Sequence, residues 1–148
     1  MNDFKYLVDQ FADIRIMRYQ IPGWGNLTLR QKEYLYYLGE AAKSGRDILI
    51  DQNYKHKHVI RKTLETILNS YQGNRECDDF QKFVIYAKRV FFSNGIHHHY
   101  AEDKFFPEVG RDYFAELVRN CDVEQLPINK GVTVDQFLDF LIPIIYDP

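Results

Sequence analysis

The chain is 148 residues long, with a net charge of −2 and a pI near 6.2. This length fits one domain, residues 1–148, which can bury about 70% of the surface of its unfolded chain. Hydrophobic residues make up 45% and charged residues 27%, and nothing in this balance indicates nucleic acid or an anionic membrane as a partner. No apolar run approaches the ~18 residues of a membrane span, and the first residues lack the apolar core of a signal peptide. We therefore expect a cytoplasmic protein, or a periplasmic one if a signal peptide was trimmed away.

Apolar residues recur at helical spacing along most of the chain, and this pattern predicts an all-α fold of about six amphipathic helices. The first apolar stripe runs from Phe4 to Ile14. The second helix begins after Thr28, which forms a capping-box pattern with Gln31, and it continues through Leu49. No stretch alternates apolar and polar residues clearly enough to predict a strand.

The second half of the chain carries four further helical stripes, and the last of them also has an explicit start signal. Thr133 and Gln136 repeat the capping-box spacing at the beginning of that helix. The stripes place helices through residues 60–71, 80–91, 113–118 and 133–141.

One segment, Phe91–Pro107, has no helical apolar period. It contains Ser93-Asn94-Gly95, a helix-stop signal, followed by three histidines and Tyr100. Polar aromatic groups on a loop between helices are often part of a binding site. Further along, Pro107 favours an extended connector, in which the rings of Phe105 and Phe106 are expected to anchor the loop.

The three histidines, His97–His99, allow three interpretations. If the segment is extended, His97 and His99 point the same way and could bind a metal with Glu102 or Asp103. However, Cys77 and Cys121 lack metal-ligand spacing, and the chain contains no zinc helix of the H-E-x-x-H type. The alternatives are solvated loop histidines and histidines that hydrogen-bond a ligand or an adjoining domain. The third interpretation is the one we favour.

The remaining polar motifs indicate no chemistry of their own. A basic stretch at the start of the third helix alternates with apolar residues, as on a solvated helix face. Its members are Lys55, His56, Lys57, His58, Arg61 and Lys62. A nucleophile elbow, a phosphate-binding glycine loop and a dinucleotide fingerprint are all missing from the sequence, so no catalytic residue is predicted.

Three stretches together resemble the N-terminal part of the dipeptidyl peptidase III family of zinc metallopeptidases, in its bacterial, Bacteroidetes-like branch. They read Y-L-V-D-Q-F-A-D-I-R-I-M-R-Y, K-E-Y-L-Y-Y-L-G-E-A-A-K-S-G-R-D-I-L and S-N-G-I-H-H-H-Y-A-E-D-K-F-F-P. The resemblance covers the chain from about Phe4 to Pro148, and its most specific part is the loop. The family pattern there matches Ser93, Asn94, Gly95, Tyr100, Asp103, Lys104, Phe105 and Pro107.

The resemblance implies a two-lobed exopeptidase that removes dipeptides from the amino end of short peptides. Family members bind zinc through an H-E-x-x-G-H helix and a downstream glutamate motif, which are both missing from these 148 residues. The chain is therefore expected to be an inactive fragment that binds no zinc itself and whose partners are a short peptide and the missing catalytic lobe. The implied substrate-binding residues lie on the loop, where Tyr100 would pack on a substrate side chain while His99 and Asn94 donate hydrogen bonds to its backbone. The full set is Asn94, Gly95, His97, His98, His99 and Tyr100.

A second hypothesis is a self-sufficient helical binding module that never meets a catalytic lobe. The C-terminal residues favour the fragment, because Ile142, Ile144, Ile145 and Tyr146 form an apolar patch where the chain halts. We expect this patch to be exposed where the missing lobe docks, and the fragment to self-associate to cover it.

Overall fold

A computed structural model of the chain describes residues 4–148, apart from the side chain of Asn53. The chain forms two compact units, of which the first extends to Ile48 and the second is Leu49–Pro148. The helical character predicted for most of the chain is confirmed, whereas the prediction that it is all-α is wrong. That residues 1–148 act as one domain stays a prediction.

The first unit opens with a β-hairpin where the sequence predicted a helix. Strand β1 is Leu7–Phe11 and strand β2 is Ile14–Met17, paired antiparallel with Phe11 opposite Ile14 and a bulge between Leu7 and Asp9. The turn between the strands places Ala12 at φ 48°, a left-handed conformation that a helix cannot contain. Along β2 the half-buried Ile14 and Ile16 alternate with exposed Arg15 and Met17. This short alternation is typical of a strand. The apolar residues of the segment also fit helical spacing, which is why a helix was predicted.

The predicted helix after Thr28 forms as two consecutive helices. Helix α1 is Leu29–Ser44, and its capping box is present, with the Thr28 hydroxyl accepting from the backbone N–H of Gln31. Helix α2, Arg46–Asn53, follows after Gly45. None of the α1 residues is buried. The apolar stripe that predicted this helix therefore forms no buried face within the part of the chain that the structure describes.

The second unit is a helical bundle whose elements follow the sequence prediction closely. Helix α3 is Lys57–Ser70, α4 is Asp78–Ser93, α5 is Arg111–Arg119 and α6 is Val134–Tyr146. The predicted Thr133–Gln136 capping box opens α6. Short 3-10 turns lie at Trp24–Asn26 in the first unit and Val123–Gln125 in the second.

The core of the second unit lies between α3, α4, α5 and α6. Its largest fully buried side chains include Leu64, Phe83, Phe114 and Leu141, one from each helix. Burying an apolar side chain of this size contributes roughly 1.5–3 kcal/mol. The loop that follows α4 is therefore carried by a rigid, well-packed support.

The C-terminal apolar patch belongs to this core. Ile145 is fully buried, while Ile142, Ile144 and Tyr146 are half-buried against the cluster. The prediction that the patch is an exposed docking surface is wrong, because α6 turns it towards α5. Among residues 4–148, no helix is both long enough and apolar enough to span a membrane.

Candidate functional site

The end of α4 determines where the histidine loop begins. Asn94 adopts a left-handed conformation, φ 56° and ψ 30°, and the backbone N–H of Gly95 donates to the Val90 carbonyl at 2.9 Å. Asparagine tolerates this conformation better than most residues, so Ser93-Asn94-Gly95 ends the helix as predicted. The next residue, Ile96, is only 1% exposed and belongs to the core.

The loop folds back on itself as a small hairpin. His97 and Lys104 form an isolated antiparallel bridge. The backbone N–H of His98 donates to the Asp103 carbonyl at 2.8 Å, and that of Phe105 donates to the Ile96 carbonyl at 2.7 Å. Residues 99–102 therefore form the tip of a closed loop whose base is held by the core.

One of the two predicted anchors holds the loop. The Phe105 ring packs on the core, with the Arg89 guanidinium 5.6 Å from its centroid. Phe106 is 49% exposed and is contacted by the Lys104 ammonium at 5.2 Å, so the anchoring prediction is wrong for this ring. Lys104 also donates to the Asp147 carbonyl, which ties the loop to the end of α6.

The loop borders an open cavity of about 710 Å³. This volume falls within the range of about 300–1,000 Å³ that is typical of small-ligand sites. The cavity is lined by residues from the start of α3, the end of α4 and the loop tip, namely Lys57, Ser93, His97, His98, His99, Tyr100, Ala101 and Glu102.

Polar aromatic rings follow one another along the loop tip. The ring centroids of His98 and His99 are 4.5 Å apart, and those of His99 and Tyr100 are 4.3 Å apart. The His98 Nδ1 atom accepts from the backbone N–H of Tyr100 at 3.2 Å, which leaves its Nε2 atom for a donor role. Tyr100 is 89% exposed. The tip thus presents an aromatic face with hydrogen-bonding groups at its edge.

His97 lies deeper than the other two histidines. Its ring contacts that of Tyr54 edge-on at 5.4 Å. Burial lowers the pKa of His97, the Lys57 and Lys104 cations lower it further, and Glu102 opposes them. The folded protein therefore favours the neutral imidazole at this position.

This pKa shift predicts a loss of stability in mild acid. Below about pH 6.5, the ordinary value for histidine, the unfolded chain takes up a proton at His97 more readily than the folded chain. The free energy of unfolding of the wild type should therefore fall between about pH 7 and pH 5 more steeply than that of His97→Gln. Urea unfolding at a series of pH values measures the difference, and parallel curves for the two proteins would contradict it.

Four cavity residues were not among the predicted substrate-binding residues, namely Lys57, Ser93, Ala101 and Glu102. Lys57 was expected on a solvated face but is only 4% exposed, because its side chain lies over Gly95, where any β-carbon would overlap the lysine Cε. Ser93 is 6% exposed, and its hydroxyl has no hydrogen-bond partner among the described residues. The spacing of Lys57 with the buried Ile60 and Leu64, at i+3 and i+7, was the available signal.

The predicted site residues are only partly brought together. His97, His98, His99 and Tyr100 line the cavity, whereas Asn94 and Gly95 do not and instead shape the turn beneath it. Within residues 4–148, no three His, Cys, Asp or Glu side chains are grouped to hold a metal ion. Cys77 and Cys121 are free thiols.

The comparisons with known proteins add no family assignment. No protein-family model matches the chain, and no curated protein is significantly similar to it in sequence.

Proposed function

We propose that the chain is the substrate-cleft segment of a zinc-dependent dipeptidyl peptidase III-like exopeptidase, and that its histidine loop binds a short peptide. The observation that carries the proposal is the loop tip, where the exposed Tyr100 ring lies tilted beside that of His99 and both residues line a cavity of ligand size. A large ring exposed to this extent on a closed loop contributes little to the fold and is suited to contact a ligand.

The residues would act through binding and orientation. Tyr100 would pack on a substrate side chain, and His99 would hydrogen-bond the substrate backbone. Asn94 contributes by fixing the turn that aims the loop. The zinc of such an enzyme would be held by motifs beyond these 148 residues and would activate the attacking water. A fixed loop would accelerate the reaction by holding the peptide in register.

Removing the Tyr100 ring tests this proposal. In a longer product of the same gene that carries the zinc motifs, Tyr100→Ala should lower kcat/KM for dipeptidyl arylamides about tenfold, equivalent to ~1.4 kcal/mol of lost aromatic packing. The matched control is Tyr19→Ala, which removes another exposed tyrosine, from the first unit. An unchanged kcat/KM in Tyr100→Ala, or an equal loss in both variants, would contradict the role.

A self-sufficient helical binding module is the second candidate, and the closed core of the second unit favours it. Ile145 and its neighbours pack within Leu49–Pro148 without help from another lobe. The same arylamide assay with added zinc, run on this chain and on the longer product, separates the candidates. Hydrolysis by the longer product alone supports the peptidase. Peptide binding by this chain, with no hydrolysis by either protein, supports the module.

A further inference from the structure

The inner wall of the cavity contains two polar groups that the proposed peptide contacts do not use. Lys57 and Ser93 are both more than nine-tenths buried and both line the cavity. In the part of the chain that the structure describes, no side chain or carbonyl accepts a hydrogen bond from the Lys57 ammonium, and no carboxylate forms an ion pair with it. The Ser93 hydroxyl is likewise without a partner.

The Lys57 ammonium thus has only the solvent of the open cavity as a partner, and a ligand that enters the cavity can pair with it. Buried lysines are normally paired, and a buried hydroxyl without a partner loses its hydrogen bonds to water. Lys57 is also the first residue of α3, whose N-cap residue His56 makes no side-chain capping bond and whose first turn contains no acidic residue. The Lys57 N–H donates to the Tyr54 carbonyl at 3.1 Å. The positive end of the helix dipole adds to the local preference for negative charge.

The charges around Lys57 favour a singly charged ligand group. Besides Lys57, the cavity is lined by the exposed carboxylate of Glu102, by the rings of His98, His99 and Tyr100, and by His97, whose neutral form is favoured. Phosphate sites usually gather several cations or arginine forks. One ammonium opposed by one carboxylate matches a monoanion better than a dianion.

We propose that Lys57 and Ser93 form a carboxylate-binding site, which takes the C-terminal carboxylate of a short peptide whose other end reaches the Tyr100 tip. Lys57 supplies the charge and donates to one carboxylate oxygen. The Ser93 hydroxyl, which is shielded from solvent in the unliganded chain, turns towards the cavity and donates to the other. That the ligand is a peptide rests on the proposed function. The carboxylate site itself stands on the two buried groups alone.

A peptide pair that differs only in its terminal group tests the site. The 148-residue chain is titrated with trialanine and with trialanine amide while NMR follows the backbone amide of Gly95, on which Lys57 lies. Trialanine should produce a saturable shift, and the amide should bind about tenfold more weakly. In Lys57→Met the two peptides should bind alike, whereas Lys55→Met, which removes an exposed lysine two residues away, should keep the preference. Ser93→Ala should weaken trialanine binding several-fold and leave amide binding unchanged.

Sodium acetate, compared with sodium chloride at equal ionic strength, separates this inference from the proposed function. One outcome is that acetate gives a saturable Gly95 shift that Lys57→Met abolishes while neither peptide binds. That result would support the carboxylate site and contradict the proposed binding of a peptide. If the amide binds as tightly as trialanine, or if Lys57→Met retains the preference, the site is wrong. The absence of any saturable shift with both trialanine and acetate would also overturn it.

Discussion

Ile96→Ala is expected to lower the free energy of unfolding of the second unit by about 2–5 kcal/mol, the usual range for truncating a fully buried isoleucine. Ile96 is packed in the core cluster, and its carbonyl accepts the hydrogen bond from Phe105 that closes the loop. The cavity left behind would loosen the base of the loop as well as the core. Chemical denaturation measures the loss, and faster amide exchange at Phe105 would show that the loop loosens with the core.

Ile85→Ala is the matched control, because this isoleucine lies on α4 but is 36% exposed. The same atoms are removed there with less lost burial and no closed cavity, so the loss should stay below about 1.5 kcal/mol. If Ile96→Ala lost as little stability as Ile85→Ala, the base of the histidine loop would not be part of the core.

Lys57→Met is expected to act in the opposite direction and raise the free energy of unfolding by about 1–3 kcal/mol at neutral pH. Methionine fills much of the space of the lysine stem over Gly95 and removes a charge that has no protein partner at the edge of the open cavity. Thermal or urea unfolding of the two proteins measures the gain. A large loss of stability would show that the ammonium makes favourable contacts in the folded chain.

The gain in free energy of unfolding expected for Lys57→Met should depend on pH. Burial lowers the pKa of Lys57 from its ordinary value of 10.5. The unfolded chain therefore holds this proton more tightly, and the cost of the buried charge disappears as the pH rises towards 10.5. The advantage of Lys57→Met should consequently be larger at about pH 7 than at about pH 10. A variant that is more stable but loses its preference for a carboxylate would identify Lys57 as a residue retained for binding.

Local signals in the sequence were sufficient wherever the local chain decides the structure. Thr28 and Thr133 each lie three residues before a glutamine, and both capping boxes form because their hydrogen bonds connect groups within one helical turn. The end of α4 at Asn94 is local in the same sense, since the left-handed residue stops the helix by itself.

Where the local sequence pattern was ambiguous, contacts with residues elsewhere in the chain decided the structure. The apolar residues between Phe4 and Ile14 fit a helical stripe, yet the chain pairs them as a hairpin whose register depends on residues of the opposite strand. Lys57 shows the same limit, because whether a lysine at the start of a helix is solvated depends on what packs over it. Here the turn at Gly95, distant in sequence, leaves room for the lysine stem.

The sequence by itself determined the helices of the second unit, the capping boxes and the position of the histidine loop, because periodicity, capping and helix-stop residues act over a few positions. Only the tertiary structure decided that Ile145 is buried in the core and that Lys57 and Ser93 meet at one cavity with His97–Tyr100. Burial and convergence depend on contacts between residues far apart in the chain, and their energies appear only once the helices have packed.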